Sequence, residues 1–296
     1  MTFRGDIQKT SNRARTGGGG RRVAAGGGIG TLVLVGLFLL MGGNPADIGQ
    51  FLGSDQVTQG DSANGTDSGG LDHCKTGEDA NTYDDCRVEF TAMSVDQMWE
   101  EQLKAQAGID YIQPGLVVFT DTTSSGCGMA TSATGPFYCP GDESAYFDIS
   151  FFDQLPRYGG ANTPFAVEYI VAHEFGHHIQ QLEGTLSLSN YNDPGADSNA
   201  VKIELQADCY AGMWAHYADK GANAYLEPIT EEQVNDAITA ARAVGDDNIQ
   251  ARSGGEVRPD LFTHGTSEQR QEAFLAGYYS GKMSACDTLG RGVYSS

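Results

Sequence analysis

Positive charge is scarce in this chain. Its 296 residues hold 18 Lys and Arg against 39 Asp and Glu, a formal net charge of −21 at pH 7. Neutralising phosphates needs a basic surface, so nucleic acid is excluded as a partner. The cations are also unevenly placed. Six of them, Arg4, Lys9, Arg13, Arg15, Arg21 and Arg22, fall within the first 22 residues beside one acid, Asp6. The rest of the chain carries 12 basic and 38 acidic residues, a net of −26. No C-x-x-C pair occurs among the six cysteines, which argues against a cysteine-based zinc site. No internal repeat of solenoid period is present. Apolar residues are not lacking: they make up 40% of the chain, with 13 Phe and 13 Tyr, more than a disordered polymer carries.

Between the two charge regimes, Val23 to Met41 runs 19 residues without a charge. A helix of that length rises about 28 Å, enough to cross a bilayer's hydrocarbon core. The basic flank then stays cytoplasmic and the acidic remainder lies outside. The alternatives are a buried core helix, disfavoured because nothing amphipathic surrounds the run and glycine dilutes its first half, and a cleaved signal peptide. The length of the run, and the lack of a prompt small-x-small site after it, favour an uncleaved signal-anchor. The sequence therefore divides into a cytoplasmic basic tail (1–22), a transmembrane signal-anchor (23–41), a flexible linker rich in Gly, Ser, Asp and Asn (42–72) and one folded domain (73–296). Cys74, Cys86, Cys127, Cys139, Cys209 and Cys286 are an even set, suited to an oxidising exterior. Two pairs are spaced 12 apart, which suggests two local loops plus a long-range Cys209–Cys286 closure. Six cysteines alone allow fifteen connectivities.

Within the domain, Ser94 and Gln97 resemble a capping box ahead of Val95, Met98, Trp99 and Leu103 at helical spacing. Leu116–Phe119 reads as a short buried strand. Residues 135–140 and 145–152 read as extended, the latter alternating its faces at Phe147, Ile149 and Phe151. Pro164 suits a helix start, with 165–182 as the body. Further helices are expected over 198–218, 231–244 and 267–280, the last behind a Thr266/Gln269 capping box. Strands first and helices after imply an α+β domain.

The chemistry is concentrated in Ala172-His-Glu-Phe-Gly-His177, an H-E-x-x-H pattern. On a helix, positions i and i+4 share a face, so the imidazoles of His173 and His177 can reach one zinc ion, with Glu174 near enough to act as base toward a metal-activated water. A catalytic zinc needs a third protein ligand. Position 180 is Gln and 183 is Glu, so no third histidine follows at the metzincin spacing. Glu204 and Asp208 instead stand at i and i+4 on a largely apolar helical stretch, where two acids call for a cation. Glu204 fits the third ligand, and Asp208 fits a carboxylate that fixes a histidine's tautomer. Glu168 and Glu183 are the next ligand candidates if Glu204 does not serve.

This His173-Glu174-x-x-His177 with Glu204-x-x-x-Asp208 resembles the gluzincin pattern of thermolysin-like peptidases. Gly126-Cys-Gly128, Gly135-Pro-Phe-Tyr-Cys-Pro-Gly-Asp142, Glu204-Leu-Gln-Ala-Asp-Cys209 and His264-Gly-Thr-Ser-Glu-Gln-Arg270 are more narrowly similar to the neutral zinc metallopeptidase family of bacterial membrane-anchored proteins. The resemblance implies a zincin-like domain behind an N-terminal transmembrane helix, Zn2+ as cofactor and peptide or protein substrates. It also implies that a C-terminal histidine, for which His264 is the best placed, stabilises the oxyanion; Tyr138 is a rival donor. The alternative function is a zinc-containing, catalytically degenerate cell-envelope binding protein.

Overall fold

The helix that carries His173 and His177 begins at a cap written in the sequence. In the computed structural model, which describes residues 2–17, 71–131, 134–254 and 256–294, the Thr163 hydroxyl accepts the Ala166 N–H. Pro164 occupies the first turn, where a missing N–H costs nothing. In chain order the elements are β1 (Arg15–Thr16), α1 (Gly77–Thr82), α2 (Asp84–Ala107), β2 (Gly115–Phe119), β3 (Thr122–Ser125), β4 (Gly128–Thr131), β5 (Phe137–Cys139), β6 (Ser144–Asp148), α3 (Ile149–Phe152), α4 (Pro164–Leu182), α5 (Asn199–Tyr217), α6 (Glu231–Ala243), α7 (Asp246–Arg252) and α8 (Ser267–Ser280). The domain is α+β, as the order of patterns implied.

One sheet runs β1-β2-β6-β5, parallel except for the antiparallel edge strand β5, and β3–β4 forms a separate hairpin. The sheet is covered on both sides. Leu116, Val118 and Phe147 enter the main core beneath the helices, while Val117, Phe119 and Tyr146 join a second cluster with Ala130 of the hairpin. Burial on both faces is why Leu116–Phe119 reads as an unbroken apolar run rather than an alternation. The main core lies among α2, α4, α5 and α8, centred on the buried rings of Trp99, Phe165, Tyr210 and Trp214.

Several expectations are corrected. Residues 94–103 are the middle of one long helix, α2, and Ser94 caps nothing; its hydroxyl accepts the indole N–H of Trp214 at 3.0 Å. The 145–152 segment is not one strand: Asp148 ends β6 and its carboxylate accepts the Ser150 N–H at 2.9 Å, turning the chain into α3. The basic N-terminal segment, expected to be a tail apart from the domain, lies on it. Thr2 to Gly17 adds β1 to the sheet and buries Phe3 and Ala14. The sequence could not show this, because the acids that receive Lys9 and Arg13 lie about eighty residues away, on α2.

The cysteines pair as Cys74–Cys86, Cys127–Cys139 and Cys209–Cys286. No helix among the described residues is long and apolar enough to cross a membrane. The 23–41 run, with residues 42–70 of the expected linker, lies outside the described residues.

Candidate metal centre

Helices α4 and α5 cross at Gly176, and this crossing sets the site. A Cβ at position 176 would stand 3.0 Å from the Ala207 Cα and 3.1 Å from its carbonyl oxygen, tight enough that any larger residue would press the two helices apart by a few tenths of an ångström. At that separation Glu204 of α5 faces His173 and His177 of α4. Its carboxylate oxygens lie 3.3 Å from His173 Nε2 and 3.7 Å from His177 Nε2. One ligand atom from each of the three falls within 4.8 Å of the others. Two nitrogens and one carboxylate oxygen are the donor set of a zinc site that keeps a position open.

Each imidazole is oriented from behind. His173 Nδ1 lies 2.8 Å from Asp208 Oδ1, and His177 Nδ1 lies 2.8 Å from Gln180 Oε1. A carboxylate or amide oxygen only accepts, so both Nδ1 atoms carry the proton and both Nε2 atoms are left as donors to a metal. Gln180 is fixed in turn, its amide donating to the Ile203 carbonyl at 2.7 Å and to Gln206 Oε1 at 3.0 Å. Asp208 is held by Arg270 of α8 through two bonds, at 2.7 and 2.9 Å, and by the Tyr169 hydroxyl. Burial would raise the Asp208 carboxyl, but the Arg270 guanidinium and His173 outweigh it and bring it down to about 2. Arg270 reaches this far inward because α5 and α8 touch at Gly212 and Gly277, where a Cβ would fall 2.0 Å from the Phe274 carbonyl oxygen and 1.9 Å from that of Cys209.

Glu174 lies between the two histidines in sequence but outside the ligand set. It is buried at the wall of the cavity in front of the site, and among the described residues its carboxylate has no hydrogen-bond partner. Burial raises its pKa, against the pull of His173 and His177. His264 is not on the surface: it is 8% exposed and lines the same cavity. Asp246 organises its loop, one carboxylate oxygen accepting the N–H groups of Thr263, His264 and Gly265 at 2.7–2.9 Å. The other oxygen lies 3.4 Å from His264 Nδ1.

The remaining candidates fall elsewhere. Tyr138 lines the cavity, but its hydroxyl is committed to His178 Nδ1 at 3.0 Å. His178 donates from Nε2 to the Ile112 carbonyl at 2.6 Å, and burial holds its pKa down at about 4, so it stays neutral and must accept from Tyr138. Glu168 faces away from the site toward the Thr2 hydroxyl, and Glu183 accepts from Tyr210. Neither joins the ligand cluster. Tyr191, which sequence reasoning missed, donates to Glu204 Oε1 at 3.0 Å and lines the cavity. It sits in an irregular loop, where no periodicity marks a functional residue. A second grouping, His73, Cys74, Asp85 and Cys86, has its two sulfurs joined in a disulfide and offers no thiolate.

Comparison with known proteins follows the same lines. A family model described as "Putative neutral zinc metallopeptidase" matches residues 5–289. An uncharacterized protein of Mycobacterium tuberculosis is 45% identical over 225 residues, covering 74% of this chain and 75% of the relative. The uncharacterized protein YpfJ of Escherichia coli K12 is 34% identical over 296 residues, covering 97% and 96%. No solved structure matches.

Proposed function

The chain belongs to the neutral zinc metallopeptidase family, and from that membership we propose that it is a membrane-attached, extracytoplasmic zinc peptidase with Glu174 as general base. The observation that carries this reading is the Glu174 carboxylate itself. It is buried, raised in pKa, unpartnered among the described residues, and faces the cavity one position from a ligand. A site built only for structure has no use for such a group, and a base poised nearer neutrality is what proton abstraction from water needs.

Zinc, which the family implies and His173, His177 and Glu204 could hold, supplies Lewis acidity when bound, acidifying water and polarising a carbonyl oxygen. The chain's own residues do the rest. Glu174 takes the proton of the attacking water and returns it to the departing amine. His264 donates toward the oxygen on which charge develops. Phe137 and Tyr138 of β5 line the cavity, and among the described residues β5 pairs only with β6, so its outer edge can take an extended peptide as a further strand. The wall around the metal is apolar, with Phe151, Tyr158, Ile170, Leu186 and Ile249, which suits peptides with bulky apolar side chains near the scissile bond.

Attachment would run through residues 23–41, and the three disulfides favour an oxidising compartment for the domain. The test is hydrolysis of a mixed peptide set by the full chain. Cleavage should stop with a chelator and return with zinc. A fully zinc-loaded protein that cleaves nothing would make it a binding protein instead.

A further inference from the structure

We infer that Thr2–Gly17 is a built-in part of the catalytic domain and lies on the same side of any membrane as that domain. The two flanks of the apolar 23–41 run meet in one fold. Thr2–Gly17 precedes that run in sequence and the domain from Leu71 onward follows it, yet the two interlock. β1 pairs in parallel with β2, placing Arg15 beside Val117 and Thr16 beside Val118, and the Gly17 N–H continues the ladder to the Val118 carbonyl at 2.8 Å. Phe3 is 1% exposed, sits edge-on to Phe90 and bridges to Leu226.

Glu89 of α2 is fully buried, and Lys9 Nζ reaches its Oε2 at 2.7 Å while the Arg13 and Ala14 N–H groups donate to its Oε1 at 2.9 and 3.0 Å. Asp96, also buried, receives Arg13 Nε at 2.7 Å. Without residues 2–17 the domain would carry two buried carboxylates stripped of their cations, a costly arrangement. The same segment touches the metal-binding helix from behind: Thr2 meets Glu168, and the Arg13 guanidinium lies 5.8 Å from the ring centre of Phe175, within His173-Glu-Phe-Gly-His177. A chain that crosses a bilayer once leaves its flanks on opposite faces, some 30 Å of hydrocarbon apart. Flanks that share a sheet and buried ion pairs cannot be so separated. The basic residues of the segment thus serve the fold, and a topology drawn from their charge alone misplaces them.

The experiment uses the full chain in intact cells. Ser11 and Ser253 are both exposed, and the six native cysteines are disulfide-bonded and silent to maleimide. Ser11→Cys and Ser253→Cys are each probed with a membrane-impermeant maleimide before and after permeabilisation. Both labelled from outside is the expected result. Both protected until permeabilisation would keep the inference and overturn the extracytoplasmic placement of the domain. One labelled and the other protected overturns the inference. In the purified full chain, Arg13→Gln should lower the melting temperature by roughly 10 °C, as loss of a buried charge partner does, while Ser11→Cys should not move it. An Arg13→Gln protein that melts with the parent would show that the segment is not docked.

Discussion

Asp208 stands between Arg270 and His173, taking two hydrogen bonds from the guanidinium at 2.7 and 2.9 Å and one from the imidazole at 2.8 Å. Three helices meet in that carboxylate, so the orientation of a metal-binding ring on α4 depends on a cation carried by α8. The arrangement keeps His173 in the tautomer that presents Nε2, and it compensates a negative charge that burial alone would disfavour.

Zinc affinity should report that dependence in graded form. Glu204→Ala removes a ligand and should deplete the metal outright. Asp208→Ala and Arg270→Gln act one shell out and should weaken binding about 10–100-fold. Competition with a chromogenic chelator measures all three. A Glu204→Ala protein that retained zinc at full strength would leave the site without its third ligand.

Glu174→Gln should separate binding from turnover. The amide has nearly the same shape, and Glu174 is outside the ligand set, so metal content by elemental analysis should stay at the parent level. Peptide hydrolysis should fall by at least the 10²–10⁴-fold that a general base contributes. Near-normal hydrolysis would remove Glu174 from the mechanism.

Much of this centre was legible because helices impose fixed spacings. His173 and His177, like Glu204 and Asp208, are i and i+4 pairs, and each pair shares a face whatever the tertiary context. What escaped the sequence depends on contacts between distant segments. Gln180 could be read only as a missing histidine, whereas its amide orients His177 through a bond that exists only once α4 and α5 have docked. Arg270 lay inside a recognised motif without a partner, since Asp208 is 62 positions away. Lys9 and Arg13 looked like part of a solvated cationic tail because nothing local marks Glu89 and Asp96 as buried. Ser94 showed the opposite failure: a locally correct capping pattern fell within a helix that had already begun at Asp84.

Glu168 should make the fold lose stability as pH rises from the ordinary carboxylate range toward 8. Burial raises its pKa to about 8, against the pull of the Thr2 hydroxyl and Arg87. Below the ordinary carboxylate range both folded and unfolded chains hold the proton, and Glu168 contributes nothing to pH dependence. Between about 4.5 and 8 the unfolded chain has released the proton and the folded one has not, so stability falls as pH rises across that window, by at most about 1.4 kcal/mol per unit. Glu168→Gln keeps a neutral partner for Thr2 and should flatten the slope. Its melting temperature should exceed the parent's at pH 8 by more than at pH 5, and equal differences at both would assign the slope to other groups.

His264 is the residue whose role most needs kinetics. It is buried at the cavity wall, and its loop is pinned by three backbone bonds to Asp246. The second Asp246 oxygen has no hydrogen bond among the described residues and lies 3.4 Å from His264 Nδ1. His264 Nδ1 itself lies 2.9 Å from the Thr263 hydroxyl, which can donate to it or accept from it. Burial alone would lower the pKa of the ring, but the carboxylates of Glu204 and Asp246 outweigh it and raise it, so the ring is biased toward carrying both protons, one of them on Nε2. Such a ring can donate to an oxyanion. Tyr138 cannot compete, because its proton is committed to His178. Tyr191 remains the nearest alternative, its ring 6.5 Å from that of His264 and its hydroxyl on Glu204. His264→Ala should therefore lower kcat/KM by roughly 10²–10³, the scale of one lost oxyanion donor, at unchanged zinc content. Tyr191→Phe should cost less in turnover and more in metal affinity, because its hydroxyl is spent on a ligand. If the two variants exchanged these signatures, the donor would be Tyr191, and Asp246 would be organising a loop rather than aiming a proton.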